Sequence, residues 1–250
     1  MGDEQQSTSI STLRLIAEHS KGLSFPNLGR PSVSPYEPAT QELVNWGAKV
    51  YCFAWLRHFS TLVNVVIILQ DANNTPSAHI VARSVFELGA HAYYVKKHLK
   101  QHVDAKNLDA AWNFLTPIAT GSRYVNEQHP DSSEMFPTPA HISKAIACFN
   151  EVMPENTRDD YSFLSEYCHP NMLAFLQYYC WLSHYEVAFV DHDAQGVFGS
   201  TAAACVMGLM AIEETLVMIG ESAVVNSLRK LFRVVVEQAK GAPQSKSAEN

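Results

Sequence analysis

The stretch that decides the fold is SAHIVARSVFELGAHAYYVKKHLKQH, residues 77–102. Its apolar residues recur every three or four positions, which is the period of an α-helix. The turn-forming residues 73–76 before it, Asn-Asn-Thr-Pro, supply the chemistry of a helix start. The same period continues over most of the 250 residues, with no internal repeat and no alternating strand pattern. The sequence therefore predicts an all-α protein, a single helical bundle of about seven to nine helices.

The predicted organisation places one bundle between two appendages. Residues 1–37 comprise an N-terminal helix and a Pro-rich arm that begins at Leu23, residues 38–239 form the helical bundle domain, and residues 240–250 form a disordered tail. The periodicity and the turn signals predict helices over residues 10–19, 40–70, 77–102, 104–128, 140–152, 157–168, 172–189, 199–219 and 222–239.

Two apolar stretches bear on burial. The run from Leu62 to Leu69 is apolar on every side of its helix, which predicts a central buried helix. The stretch from Ala194 to Ile212 carries no charge and has the length of a membrane span. Its three glycines and its polar residues favour a buried helix that packs closely through small residues. We therefore expect no stable membrane span.

Two stripes of polar side chains interrupt these apolar helices. The members of each stripe are four residues apart, so they lie on one face of a helix. The first stripe contains His79, Arg83, Glu87 and His91, and the second contains Tyr161, Ser165 and His169. Arg83 and Glu87 are the only charged residues between Pro76 and Val95. A charge pair on such an apolar segment is predicted to be buried, where each charge must be satisfied.

The stripes admit a structural and a functional interpretation. Arg83 and Glu87 form either a structural pair that fixes helix register, or a guanidinium fork for a phosphate or carboxylate that Glu87 holds in place. His169 falls at a predicted helix C-terminus, where it is either a proton-transfer group or a helix cap. Arg83, Glu87 and His169 are thus the candidate catalytic residues.

The candidate ligand-binding residues are Tyr161, Ser165 and His91. His79 and His91 stand at the ends of their stripe, and both have the alternative of being half-exposed helix histidines, because the stripe drifts by ~40° every four residues.

The composition and the absence of several known motifs limit the functions that the protein can be expected to have. The net charge of −7 disfavours a general nucleic-acid binder. No Gly-rich phosphate loop, G-x-S-x-G or H-E-x-x-H motif is present, and we expect neither a metal nor a cofactor. The five scattered cysteines favour free thiols in a reducing compartment, which predicts a cytoplasmic protein. The expected partners are an unknown small ligand or RNA, with a homodimer as a further possibility.

Two segments resemble the motifs of a known family. ARSVFE, residues 82–87, and YSFLSEYCHP, residues 161–170, are similar to the patterns R-S-x-x-E and Y-x-x-L-S-x-x-x-H-P of an uncharacterised bacterial family of helical proteins. The resemblance implies no activity. It implies that one site or one structural network contains Arg83, Glu87, Tyr161, Ser165 and His169.

A more distant resemblance is to HEPN helical bundles, many of which are metal-independent ribonucleases of toxin and defence systems. Their signature, Arg-x(4–6)-His, is matched by Arg14 with His19 and by Arg123 with His129. Three functions therefore stay open: a bundle that binds an anionic small ligand at Arg83, Glu87 and His169, a HEPN-like ribonuclease, and a non-catalytic helical interaction protein.

Overall fold

The computed structural model describes residues 3–23, 25–31, 38–120, 142–153, 161–162, 164–165, 179–183, 186–189 and 197–241. This part of the chain contains seven helices and one two-stranded hairpin. The helices are α1 (Asp3–Lys21), α2 (Gln41–Asp71), α3 (Thr75–Asp104), α4 (Leu108–Thr120), α5 (Ile142–Asn150), α6 (Val197–Met218) and α7 (Ser222–Gly241), and the strands are β1 (Tyr179–Ser183) and β2 (Glu186–Phe189). The predicted all-α bundle is confirmed.

Local sequence chemistry sets where the two longest helices begin. The Thr40 hydroxyl accepts the backbone N–H of Leu43 at 3.2 Å and caps α2. The Asn74 side chain accepts the N–H of Ser77 at 3.3 Å and caps α3. Both residues hold donors that have no partner inside a helix, so the predicted starts of these helices are within two residues of the observed ones.

Helix α3 lies at the centre of the bundle and packs against α2, α4, α5 and α6. Its tightest contact is the crossing with α6. A Cβ atom added to Gly208 would lie only 2.8 Å from the Cα of Gly89, and one added to Gly89 would overlap the carbonyl oxygen of Ala204. The two backbones therefore meet without intervening side chains, which is the close packing expected of the uncharged stretch in α6.

In the part of the chain that the structure describes, two helices, Gln41–Asp71 and Phe198–Met218, are long and apolar enough to cross a membrane when judged by length and composition alone. In the bundle, 44% of the most apolar 18-residue stretch of helix Gln41–Asp71 is buried, and 56% of the corresponding stretch of helix Phe198–Met218. Core helices of soluble proteins pass the same test, so this finding is weak evidence for a membrane location.

The prediction that Leu62–Leu69 forms a central buried segment is wrong. Val63 and Val66 are buried, but Ile68 is 64% exposed. Ile68 lies about 200° around the helix from Val66 and points away from the core. A helix that is apolar on all sides can be buried on any of them, and the neighbouring helices decide which side is covered.

The predicted helix over residues 172–189 is also wrong in its second half. Residues 179–183 and 186–189 are two antiparallel strands, in which Tyr179 pairs with Phe189 and Trp181 with Val187. The two strands contain three aromatic residues, Tyr179, Trp181 and Phe189, and aromatic residues favour strands. A short apolar run does not distinguish a strand from a buried helix.

Several predicted features lie outside the described residues. They are the first part of that helix, residues 172–178, the loop over residues 129–139, the helix end at residues 169–171 and residues 242–250 of the predicted tail. The first two residues of that tail, 240 and 241, belong to α7, so the tail prediction is wrong there. Helix α4 runs through Pro117, where a disturbance was predicted, and its predicted continuation to residue 128 also lies outside the description.

Candidate functional site

Arg83 and Glu87 form an ion pair on the surface of α3. The Arg83 Nε atom is 3.1 Å from Glu87 Oε1, and the two side chains are 27% and 26% exposed. The predicted burial of this pair is therefore wrong, since both side chains reach solvent. The reason lies in the neighbouring positions: Ala82 and Phe86, each one residue earlier, are fully buried. They occupy the face that points into the core and leave the pair at its edge.

Tyr161, a residue of the second stripe, contacts this ion pair. Its hydroxyl donates a hydrogen bond to Glu87 Oε1 at 2.9 Å, although the two residues are 74 positions apart. Its ring packs on Phe86 with the centroids 5.6 Å apart. Leu164, at the next turn, is fully buried and fixes this segment to the core. Three of the candidate site residues are thus in contact.

The contacts of this cluster orient the guanidinium group of Arg83. Glu87 holds Nε, and the Cζ atom lies 5.7 Å from the centroid of the Tyr161 ring. A cation over an aromatic ring is attracted to its face, and the carboxylate of Glu87 adds the attraction of an ion pair to the same guanidinium. The arrangement is therefore a positioned, partly exposed arginine, which is suited to binding a carboxylate or phosphate group.

The remaining residues of the second stripe are described only in part. Ser165 is partly buried, one turn after Tyr161. His169 lies outside the described residues, so its role in proton transfer stays a prediction. Within the described part of the chain, no three His, Cys, Asp or Glu side chains are placed to hold a metal ion.

His91 has a partner on a different helix. Its Nδ1 atom is 2.9 Å from the hydroxyl oxygen of Tyr51 in α2, and the two rings pack with centroids 5.6 Å apart. Burial lowers the pKa of His91 and raises the pKa of Tyr51, so both groups are neutral at pH 7. The structure therefore places this candidate ligand-binding residue in a contact between α2 and α3. Sequence reasoning missed Tyr51, because one tyrosine on an apolar helix forms no pattern.

His79, at the other end of the first stripe, is fully buried. Its ring lies 5.7 Å from the ring of Phe198 in α6. The alternative that His79 is a half-exposed helix histidine is therefore wrong. His79 shares a helix face with Ala82 and Phe86, which stand three and seven residues later, and this face forms the core.

The arginine–histidine pair in α1 has a structural role. Arg14 forms a two-pronged ion pair with the carboxylate of Asp71 at the end of α2. Hydrogen bonding to Arg14 lowers the pKa of Asp71. His19 Nδ1 lies 3.0 Å from the Leu15 carbonyl oxygen. This match to the HEPN signature thus joins two helices, and the match at residues 123–129 lies outside the described residues.

The basic residues of α3 are largely neutralised. Lys96, Lys97 and Lys100 pair with carboxylates at 3.1, 2.7 and 2.8 Å, and their partners are Glu214, Glu151 and Asp104. A nucleic-acid backbone is bound by unneutralised lysine and arginine side chains. These lysines therefore give little support to RNA binding.

Comparison with known proteins adds no functional assignment to the site. The chain matches no protein-family model, and no curated protein or solved structure matches it. The function has to be inferred from the geometry of Arg83, Glu87 and Tyr161.

Proposed function

We propose that the protein binds a small ligand bearing a carboxylate or phosphate group at Arg83. The observation that carries the proposal is the convergence of Glu87 and Tyr161, from segments 74 residues apart, on an arginine that is still 27% exposed. A purely structural pair on one helix needs no third residue from a distant segment. A binding arginine does need one, because its orientation must be set before the ligand arrives.

Each member of the cluster has a distinct part in this proposal. Arg83 supplies the planar donor fork that matches an oxyanion. Glu87 holds Nε and lowers the cost of keeping a guanidinium half-buried. Tyr161 fixes the carboxylate of Glu87 with its hydroxyl and the guanidinium with its ring. His169, eight residues after Tyr161, is proposed to donate a hydrogen bond or a proton to the same ligand.

A cytoplasmic location belongs to the same proposal. Cys52, Cys148 and Cys205 are buried free thiols, which is typical of proteins in a reducing compartment. Burial raises the pKa of Cys52 and of Cys205, so these two thiols act as core residues without reactivity.

The experiment is a binding titration with inorganic phosphate, citrate and adenosine monophosphate as probes, followed by calorimetry. We expect at least one probe to bind the wild-type chain, and Arg83→Met to lose that binding. Arg229→Met is the matched control, since Arg229 Nε also pairs with a glutamate Oε1, that of Glu213 at 2.7 Å. It should bind like the wild type.

His169→Ala tests the second half of the proposal. It should weaken binding of the same probe with little change in circular dichroism and melting temperature, because a residue at a helix end, where the sequence predicts His169, contributes little to stability. Binding that is equal in Arg83→Met and Arg229→Met would show that the ion attaches by general electrostatics. That result, or binding of no probe at all, would overturn the proposed function.

A further inference from the structure

A second site lies between the Pro-rich arm and the first two turns of α2. A cavity of about 450 Å³ opens there, a volume typical of small-molecule sites. Helix α2 lines it with four residues spaced to share one helix face. The lining residues are Glu42, Asn45, Trp46 and Lys49 from α2 and Asn27, Leu28, Gly29 and Pro31 from the arm.

The two charged residues that line this cavity differ in whether they have an ion-pair partner. Glu42 is exposed and has no ion-pair partner within the part of the chain that the structure describes. The one lysine of the lining, Lys49, is paired with Glu221 at 3.0 Å. The Oδ1 atom of Asn45 accepts a hydrogen bond from Gln41 at 2.7 Å, which orients the amide of Asn45 on this turn. Among the residues that line the cavity, the uncompensated charge is therefore the carboxylate of Glu42, which favours a cation.

The ring of Trp46 contacts a cationic side chain of the protein itself, that of Arg30. The guanidinium carbon of Arg30 lies 5.9 Å from the centroid of the Trp46 ring. Tryptophan gives the strongest cation–π contact of the aromatic residues. Arg30 stands between Gly29 and Pro31, which both line the cavity, so its side chain lies at the border of the site.

We propose that this cavity binds a small organic cation, an ammonium or guanidinium compound, which takes the position of the Arg30 guanidinium over Trp46. In this arrangement Glu42 supplies the opposite charge, and Arg30 is an internal competitor that keeps the site filled when the ligand is absent. The site is separate from the Arg83 cluster, which selects the opposite charge, so the two proposals stand or fall independently.

The test is calorimetric titration with spermidine and with agmatine at constant ionic strength. Arg30→Ala should tighten binding by about fivefold, because it removes the competing cation. Trp46→Leu and Glu42→Gln should each weaken binding by about the same factor.

Glu237→Gln is the control for unspecific attraction to an acidic protein of net charge −7. Glu237 is an exposed carboxylate of α7, ~22 Å along that helix from its first residue, Ser222, and its loss should leave binding unchanged. Circular dichroism confirms that each variant is folded. Equal affinities of Glu42→Gln and Glu237→Gln would overturn the proposal, as would unchanged or weaker binding in Arg30→Ala, or no binding of either probe.

Discussion

Two faces of helix α3 differ in what covers them: one packs directly on another helix, and the other carries polar side chains that solvent reaches. At Gly89 the backbone of α3 touches the backbone of α6, and no room is left for a single methyl group. At Glu87, two residues earlier and about 200° around the helix, a carboxylate, a guanidinium and a phenol meet at an edge that solvent reaches.

The difference between these faces separates stability from function. The Gly89 face fixes the position of α3 through contacts that cannot be adjusted, because protein interiors are close-packed. The Glu87 face keeps charged side chains at a defined position on that fixed support. Changes on the first face should therefore cost stability, whereas changes on the second should cost less stability and more ligand binding.

The largest effect is expected for Gly89→Ala. The added methyl group would overlap the carbonyl oxygen of Ala204, which is backbone and cannot rotate away. Helices α3 and α6 would have to separate, and we expect the free energy of unfolding to fall by about 3 kcal/mol. Urea denaturation measures this change.

Gly199→Ala is the matched control, since it makes the same substitution within α6. A Cβ atom there would lie 3.9 Å from Ser9 Oγ, an ordinary contact. We expect a gain of about 0.5 kcal/mol from the better helix propensity of alanine. Equal effects of the two substitutions would contradict the tight crossing.

The next largest effect is expected for Glu87→Gln. The change leaves the Arg83 guanidinium without its opposite charge in a site that is about one-quarter exposed. A buried pair broken in this way costs about 3–5 kcal/mol and an exposed pair under 1, so we expect a loss of about 2 kcal/mol. Thermal and urea unfolding measure it, and a loss above about 4 kcal/mol would favour the purely structural interpretation.

Tyr161→Phe removes one hydroxyl and keeps the ring on Phe86. The lost hydrogen bond to Glu87 should cost about 1 kcal/mol. In a double-mutant cycle with Glu87→Gln the two losses should not add, because they share this bond. Tyr93→Phe, whose ring packs on Phe149, is the control and should change nothing measurable. Additive losses would show that the tyrosine and the glutamate act separately.

The smallest effect is expected for Glu214→Gln. Its carboxylate is 3.1 Å from Lys96, the same separation as in the Arg83–Glu87 pair, but Glu214 is 55% exposed. Water screens this pair, so the loss should stay below about 0.5 kcal/mol. A loss as large as that of Glu87→Gln would mean that exposure does not distinguish the two pairs.

The sequence predicted which residues form the candidate site, but it did not predict how exposed they are. Four-residue spacing put Arg83 beside Glu87, and the second stripe contained Tyr161, which meets them. The predicted burial was wrong, because exposure depends on what covers a helix face. His91 shares the spacing of its stripe and contacts Tyr51 instead, since the stripe drifts around the helix and its end faces another neighbour.

The sequence by itself determined the all-α class, because helical periodicity and capping residues such as Thr40 and Asn74 act within a few positions of the chain. Only the tertiary structure decided that Gly89 meets Gly208, that Ile68 faces outward and that Tyr161 closes over Glu87. These features depend on pairs of segments far apart in the chain. Their contacts follow from how whole helices pack, which no local pattern specifies.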